Sequence, residues 1–88
     1  MAKQLQGKRV AILVENGFER VEMTTPRHAL EEAGAKTDLI SPDSGTVQSV
    51  EHDKPGERFP VDVDLSNADP GEYDALLLPG GVSNPRTN

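Results

Sequence analysis

Five apolar residues in succession, Val10-Ala-Ile-Leu-Val14, leave this chain little choice of fold. The run, entered through Arg9, shows no polar alternation. As a strand it must therefore be covered on both faces, the condition of a strand inside a parallel sheet. Tyr73-Asp-Ala-Leu-Leu-Leu78 meets the same condition over its last four residues. Both runs fall far short of the ~20 apolar residues that span a bilayer. Met1–Arg9 carries charge with no long apolar stretch behind it, so no secretory signal is expected.

Between the two runs the sequence alternates in type. Glu15-Asn16-Gly17 breaks the first strand with turn chemistry. A helix is expected within Glu19–Ala33, with Val21, Met23, Ala29, Leu30 and Ala33 as its more apolar face and Gly34 closing it. Pro26 fits two placements: the first helical position after a Thr25 cap, or the interior of a helix that begins near Glu19. Lys36–Ile40 reads as a second strand, closed by Ser41-Pro42. Asp43–Pro60 is rich in Gly, Pro, Asp and Ser and reads as an excursion at a sheet edge or subunit contact. Thr46–Val50 and Arg58–Val63 are its candidate short strands. Leu65–Asp69 is expected as a helical turn, ended by Pro70-Gly71. Strand, helix, strand, excursion, strand is the opening of an α/β sheet with right-handed crossovers. Only one substantial helix is available to cover it.

Composition bounds the rest. The 88 residues are one domain at most, with 34% hydrophobic residues and three aromatics (Phe18, Phe59, Tyr73) to fill an interior. With no cysteine there is no disulfide to support so small a core, and no thiolate chemistry within the chain. The expectation is a chain that belongs to something longer or is completed by a partner. A net charge of −6 with scattered basic residues argues against nucleic acid, whose phosphates require a basic stripe. A cytoplasmic protein is the plain reading, with no cofactor, metal or membrane expected.

Open parallel sheets hold their sites at the carboxyl ends of strands. After the first strand come Glu15, Glu19 and Glu22; after the last comes Pro79-Gly80-Gly81. The spacing of Glu19 and Glu22 puts both on one helical face, which by itself describes an acidic first turn complementing the helix dipole. Gly80-Gly81 by itself describes a turn, although its backbone N–H groups are also free to approach a ligand oxygen.

Arg9-Val-Ala-Ile-Leu-Val-Glu-Asn-Gly-Phe-Glu-Arg-Val-Glu22, followed by Pro26 and Leu30-Glu-Glu-Ala-Gly34, resembles the opening of the PfpI/ThiJ superfamily. The intracellular-protease-like and general stress proteins, relatives of protein deglycase, are the members it is most similar to. Val61–Asp64 and Tyr73-Asp-Ala-Leu-Leu-Leu-Pro-Gly-Gly81 resemble that family's approach to its oxyanion-hole turn, so the likeness covers residues 8–81. It implies a flavodoxin-like, class I glutamine-amidotransferase-like α/β sandwich. Residues 1–88 would be the N-terminal half of one such domain, with 1–7 a flexible or edge N-terminus.

The resemblance also assigns roles. Glu22 matches the buried glutamate that contacts the family's nucleophilic cysteine, and Glu19 matches a second acidic position beside it. Gly81 matches the glycine whose N–H faces the reacting carbonyl oxygen, with Gly80 giving the turn its freedom. The cysteine and its following histidine belong to a second half with no counterpart here, and neither His28 nor His52 replaces that histidine. Arg86 follows Pro85 where relatives often carry an acid. The implied function is a stress-response cysteine hydrolase, deglycase- or glyoxalase-like or peptidase-like. It would act on small carbonyl compounds or damaged proteins as a homodimer or higher homo-oligomer, and residues 1–88 alone would be inactive. The alternative is a non-catalytic, chaperone-like or degenerate binding module of the same fold.

Overall fold

The computed structural model describes residues 4–43 and 45–79. In chain order its elements are β1 (Arg9–Leu13), β2 (Phe18–Glu19), α1 (Arg20–Glu32), β3 (Lys36–Ser41), β4 (Thr46–Glu51), β5 (Lys54–Pro60), β6 (Val63–Asp64) and β7 (Ala75–Leu77). Single 3-10 turns at Leu65–Asn67 and Pro70–Glu72 lie between the last two strands.

β1 pairs in parallel with β3 on one side and β7 on the other, and β6 extends the sheet beyond β3, giving the order β6-β3-β1-β7. Two aspartates set the outer registers. Asp62 donates its N–H to the Leu39 carbonyl at 2.8 Å while its carboxylate accepts the Leu39 N–H at 2.7 Å. Asp74 does the same to Arg9, at 2.8 Å for both bonds. Each side chain thus supplies a ladder bond where its strand has only begun.

The register aligns Ile12 with Leu39 and Leu77, so these side chains share one face with Val10 and Val14. Met23 and Leu30 of α1 pack onto that face, and Ile12, Met23 and Leu39 are fully buried. Truncating a side chain such as Met23 to alanine costs about 2–5 kcal/mol. The apolar face of α1 is narrower than expected: Val21 and Ala29 are exposed. Residues two apart on a helix point about 200° away from one another, so Val21 and Met23 cannot face the same sheet. Pro26 takes the second of its two placements, inside the helix, and Gly34 closes the helix at φ +101°.

The Asp43–Pro60 segment does form a hairpin, β4 against β5, but not at the edge of the main sheet. It joins β2 in a separate three-stranded sheet, β2-β4-β5, through a parallel pairing of Phe18 with Ser49 and Glu19 with Val50. Buried Val47 and the Phe18–Phe59 ring pair, 5.8 Å between centroids, tie this accessory sheet to the common core. Residues 4–7 form a turn held to the end of α1, where Leu5 donates its N–H to the Ala33 carbonyl at 2.8 Å and packs on the core.

Candidate functional site at the carboxyl edge of the sheet

The winding of the sheet reverses at β1. The chain leaves β1 through α1 for β3 on one side, then crosses back to β7 on the other. This is the flavodoxin-like arrangement, whose ligand crevice lies outside the carboxyl ends of the two strands flanking the reversal. Those strands are β1 and β7. The segment from Glu15 to Glu22 leaves the carboxyl end of β1 and delivers the chain into α1.

That segment is fastened in place residue by residue. Phe18 donates its N–H to the Glu15 carbonyl at 3.2 Å, closing a turn in which Gly17 sits at φ +93°. Only glycine adopts that conformation cheaply. The Asn16 side chain accepts the Gln48 N–H at 2.8 Å and donates from Nδ2 to Asp43 at 3.0 Å, and Gly17 donates its N–H to the Gln48 carbonyl at 2.8 Å. Glu19 accepts the His52 N–H at 3.2 Å, and Arg20 Nε meets Glu51 at 2.6 Å. The accessory hairpin is therefore the bracket for the loop out of β1.

Glu19 and Glu22 consequently do not share a helical face. Glu19 ends β2 as the extended residue before α1, with its carboxylate committed to the hairpin. Glu22 lies in the first turn of α1, half-buried, and its carboxylate makes no hydrogen bond or ion pair among the described residues. Pro26, four residues on, has no N–H to give to the Glu22 carbonyl. Gly80 and Gly81 lie outside the described residues; Pro79, where the description ends, follows the carboxyl end of β7. His28 projects from α1 to solvent 3.7 Å from Glu32, and His52 occupies the hairpin turn.

The sequence gives no local sign of the bracketing roles of Asn16, Arg20 and Glu51. Glu15-Asn16-Gly17 announced a turn, but the partners of Asn16 lie 27 and 32 residues away, beyond any local pattern.

Two further features lie away from this edge. Toward the amino end of the sheet, Asp38 accepts both Arg9 Nη2 at 3.1 Å and the Tyr73 hydroxyl at 2.7 Å, while the Arg9 guanidinium sits 5.0 Å from the Tyr73 ring centroid. Burial, the hydrogen bond to Asp38 and its negative charge push the Tyr73 phenol up to about 12. On the sheet face opposite α1, a space of about 330 Å³ opens over Ala11, Leu13, Ile40, Leu65, Tyr73 and Leu76. Leu76 remains 60% exposed there. Among the described residues no group of three His, Cys, Asp or Glu side chains converges to hold a metal ion, and no helix is long and apolar enough to cross a membrane.

Comparison with known proteins accounts for this geometry. An uncharacterized protein of Staphylococcus haemolyticus is 46% identical over 76 residues, which are 86% of this chain and 42% of that protein. An uncharacterized protein of Staphylococcus aureus matches at the same identity over 43% of its length. The crystal structure of a DJ-1 superfamily protein from Agrobacterium tumefaciens superposes with a TM-score of 0.71 at 28% identity, covering 90% of this chain and 40% of that one. An alanine-for-cysteine variant of a DJ-1 superfamily protein from Salmonella typhimurium gives 0.69 at 27%, covering 86% and 40%. The chain thus spans about two fifths of the length of these relatives and carries the corresponding part of a flavodoxin-like fold. The model of the DJ-1/PfpI family matches residues 8–88, and the chain belongs to that family.

Proposed function

We propose that residues 1–88 are the N-terminal half of a single DJ-1/PfpI-type domain and that Glu22 is the carboxyl group that tunes its nucleophilic cysteine. The observation that carries this reading is the contrast along one segment. Asn16, Glu19 and Arg20 are all committed to the accessory hairpin, whereas Glu22 is half-buried and uncommitted beside the reversal point of the sheet. A partly buried carboxyl with no partner is poised to meet a group that the remainder of the domain supplies. In its neutral form it donates a hydrogen bond to a thiolate, keeping its own proton, and so favours the charged sulfur.

The reaction class is attack of that thiolate on a carbonyl carbon. A sulfur–carbon bond forms as the carbonyl electrons move onto oxygen, where the Gly81 N–H stabilises the negative charge. Small carbonyl compounds or damaged proteins are the substrates, in a stress-related role in the cytoplasm, and the complete protein works as a homodimer or higher homo-oligomer. The open face supports the half-domain reading. Strands of a parallel sheet need cover on both sides, and right-handed crossovers that continue past β7 place their helices over Ala11, Leu13 and Leu76.

The same apolar space favours a second reading, a non-catalytic module that binds apolar segments there. The intact mass of the native protein separates the two. A mass roughly twice the 9.5 kDa of these residues, as the matched share of the relatives implies, supports the half-domain. A native mass of 9.5 kDa favours the binding module.

A further inference from the structure

Asn16 and Gly17 form the chain's one Asn-Gly pair. In such a pair the amide nitrogen of the glycine meets no side chain as it approaches the asparagine Cγ. Here both reacting groups are held by one residue of β4: Gln48 donates its N–H to Asn16 Oδ1 at 2.8 Å and accepts the Gly17 N–H at 2.8 Å. The leaving group is held as well, since Nδ2 donates to Asp43 at 3.0 Å. The pair is exposed to solvent, so water reaches it freely.

We propose that Asn16 is a site of intramolecular deamidation, that the docking of β4 holds the reaction off, and that the reaction, once complete, frees the accessory hairpin from the loop leading to Glu22. The Gly17 nitrogen gives its proton to hydroxide and attacks Asn16 Cγ. A carbon–nitrogen bond closes a five-membered succinimide while the Cγ–Nδ2 bond breaks, and Nδ2 departs as ammonia. Water then opens the ring at either carbonyl, leaving aspartate or isoaspartate at position 16. The net change consumes one water, releases one ammonia and needs no oxidant. In the docked state the attacking N–H is tied to the Gln48 carbonyl, so the nitrogen must first lose that bond.

The product reverses the chemistry of the anchor. Nδ2, which donated to Asp43, is replaced by a carboxylate oxygen facing a carboxylate, and like charges at that separation repel. Isoaspartate also adds a methylene to the backbone of a turn closed by a bond between Glu15 and Phe18. Either product weakens the attachment of β4. The site therefore records, irreversibly, how often the hairpin has opened.

The test uses the intact native protein in mildly alkaline buffer, with and without denaturing urea, and follows Asn16 by peptide mass spectrometry. Asn67, followed by Ala68, and Asn84, followed by Pro85, serve as internal controls. Asn16 is expected to react roughly tenfold or more slowly in buffer than in urea, as local opening requires. Asp43→Ala is expected to move the rate in buffer toward the urea value. Equal rates in buffer and urea overturn the proposal. Its consequence is read by amide hydrogen exchange at Gln48 and His52. Asn16→Asp should accelerate both, and adding Asp43→Asn, which restores an amide facing a carboxylate, should slow them again. Unchanged exchange in Asn16→Asp, or no recovery in the double variant, overturns the claim that deamidation frees the hairpin.

Discussion

The Glu19 carboxylate accepts the backbone N–H of His52 at 3.2 Å, joining the residue before α1 to the tip of the β4–β5 hairpin. That tip is a two-residue loop in which His52 and Asp53 both have positive φ, 53° and 69°. This is the type I′ geometry that favours Asn-Gly, and residues with a Cβ pay for it in backbone strain. Replacing His52 by Asn and Asp53 by Gly is expected to stabilise the chain by up to about 1 kcal/mol. The Glu19 bond survives because it uses a backbone N–H. A higher urea midpoint with an unchanged slope is the expected result; an unchanged or lower midpoint contradicts the turn assignment.

Two glycines are expected to resist alanine for different reasons. A Cβ on Gly17 would meet nothing within 4 Å, so its cost is the left-handed backbone alone, about 1–2 kcal/mol. A Cβ on Gly56 would lie 2.7 Å from Ser49 Oγ, a buried hydroxyl that donates to the Glu57 carbonyl at 2.6 Å. Overpacking there costs about 1–3 kcal/mol. Urea denaturation in a Ser49→Ala background separates the mechanisms: the Gly56→Ala penalty should shrink and the Gly17→Ala penalty should not. Equal penalties in both backgrounds would contradict the close approach at Gly56.

Tyr73 is the chain's one tyrosine, so phenolate absorbance reports it alone. Its ionisation should be centred at about 12 in the folded chain and at the ordinary 10.0 in urea. Because the folded state holds the proton more tightly, the stabilisation is complete below pH 10 and is lost as pH rises toward about 12. Asp38→Asn removes the carboxylate charge beside the phenol and should bring the folded midpoint back toward 10.0. A midpoint that does not move would show that Asp38 has no part in holding the proton.

The parallel core was legible because unbroken apolar runs at Val10–Val14 and Ala75–Leu78 require cover on both faces, and Gly34 marks the end of α1 wherever the helix begins. The first hairpin strand, near Thr46–Val50, was legible. The expected Arg58–Val63 strand is split between β5 at Lys54–Pro60 and β6, which begins at Val63 in the main sheet, and the hairpin's membership of a second sheet was not legible. That sheet depends on two residues, Phe18 and Glu19, pairing with Ser49 and Val50 some thirty positions away, and two residues carry no periodicity. The same pairing draws Glu19 out of the helix, so its spacing from Glu22 misled. Glu22 stands out only through the family resemblance; composition and spacing leave it as one carboxylate of an acidic first turn. Gly81, which also stands out only through that resemblance, lies outside the described residues.

The most direct test of the account is a pH titration of cysteine alkylation in the intact protein, comparing wild type with Glu22→Gln and Glu19→Gln, folding being checked by circular dichroism. Glu22→Gln keeps shape and an N–H donor but loses the carboxylic proton, so the thiol pKa should rise and carbonyl turnover at neutral pH should fall. A rise of one unit corresponds to about 1.4 kcal/mol of lost preference for the thiolate. Glu19→Gln should move the pKa less, because that carboxylate is already committed to His52. An unchanged thiol pKa in Glu22→Gln, or a larger shift in Glu19→Gln, would contradict the role given to Glu22.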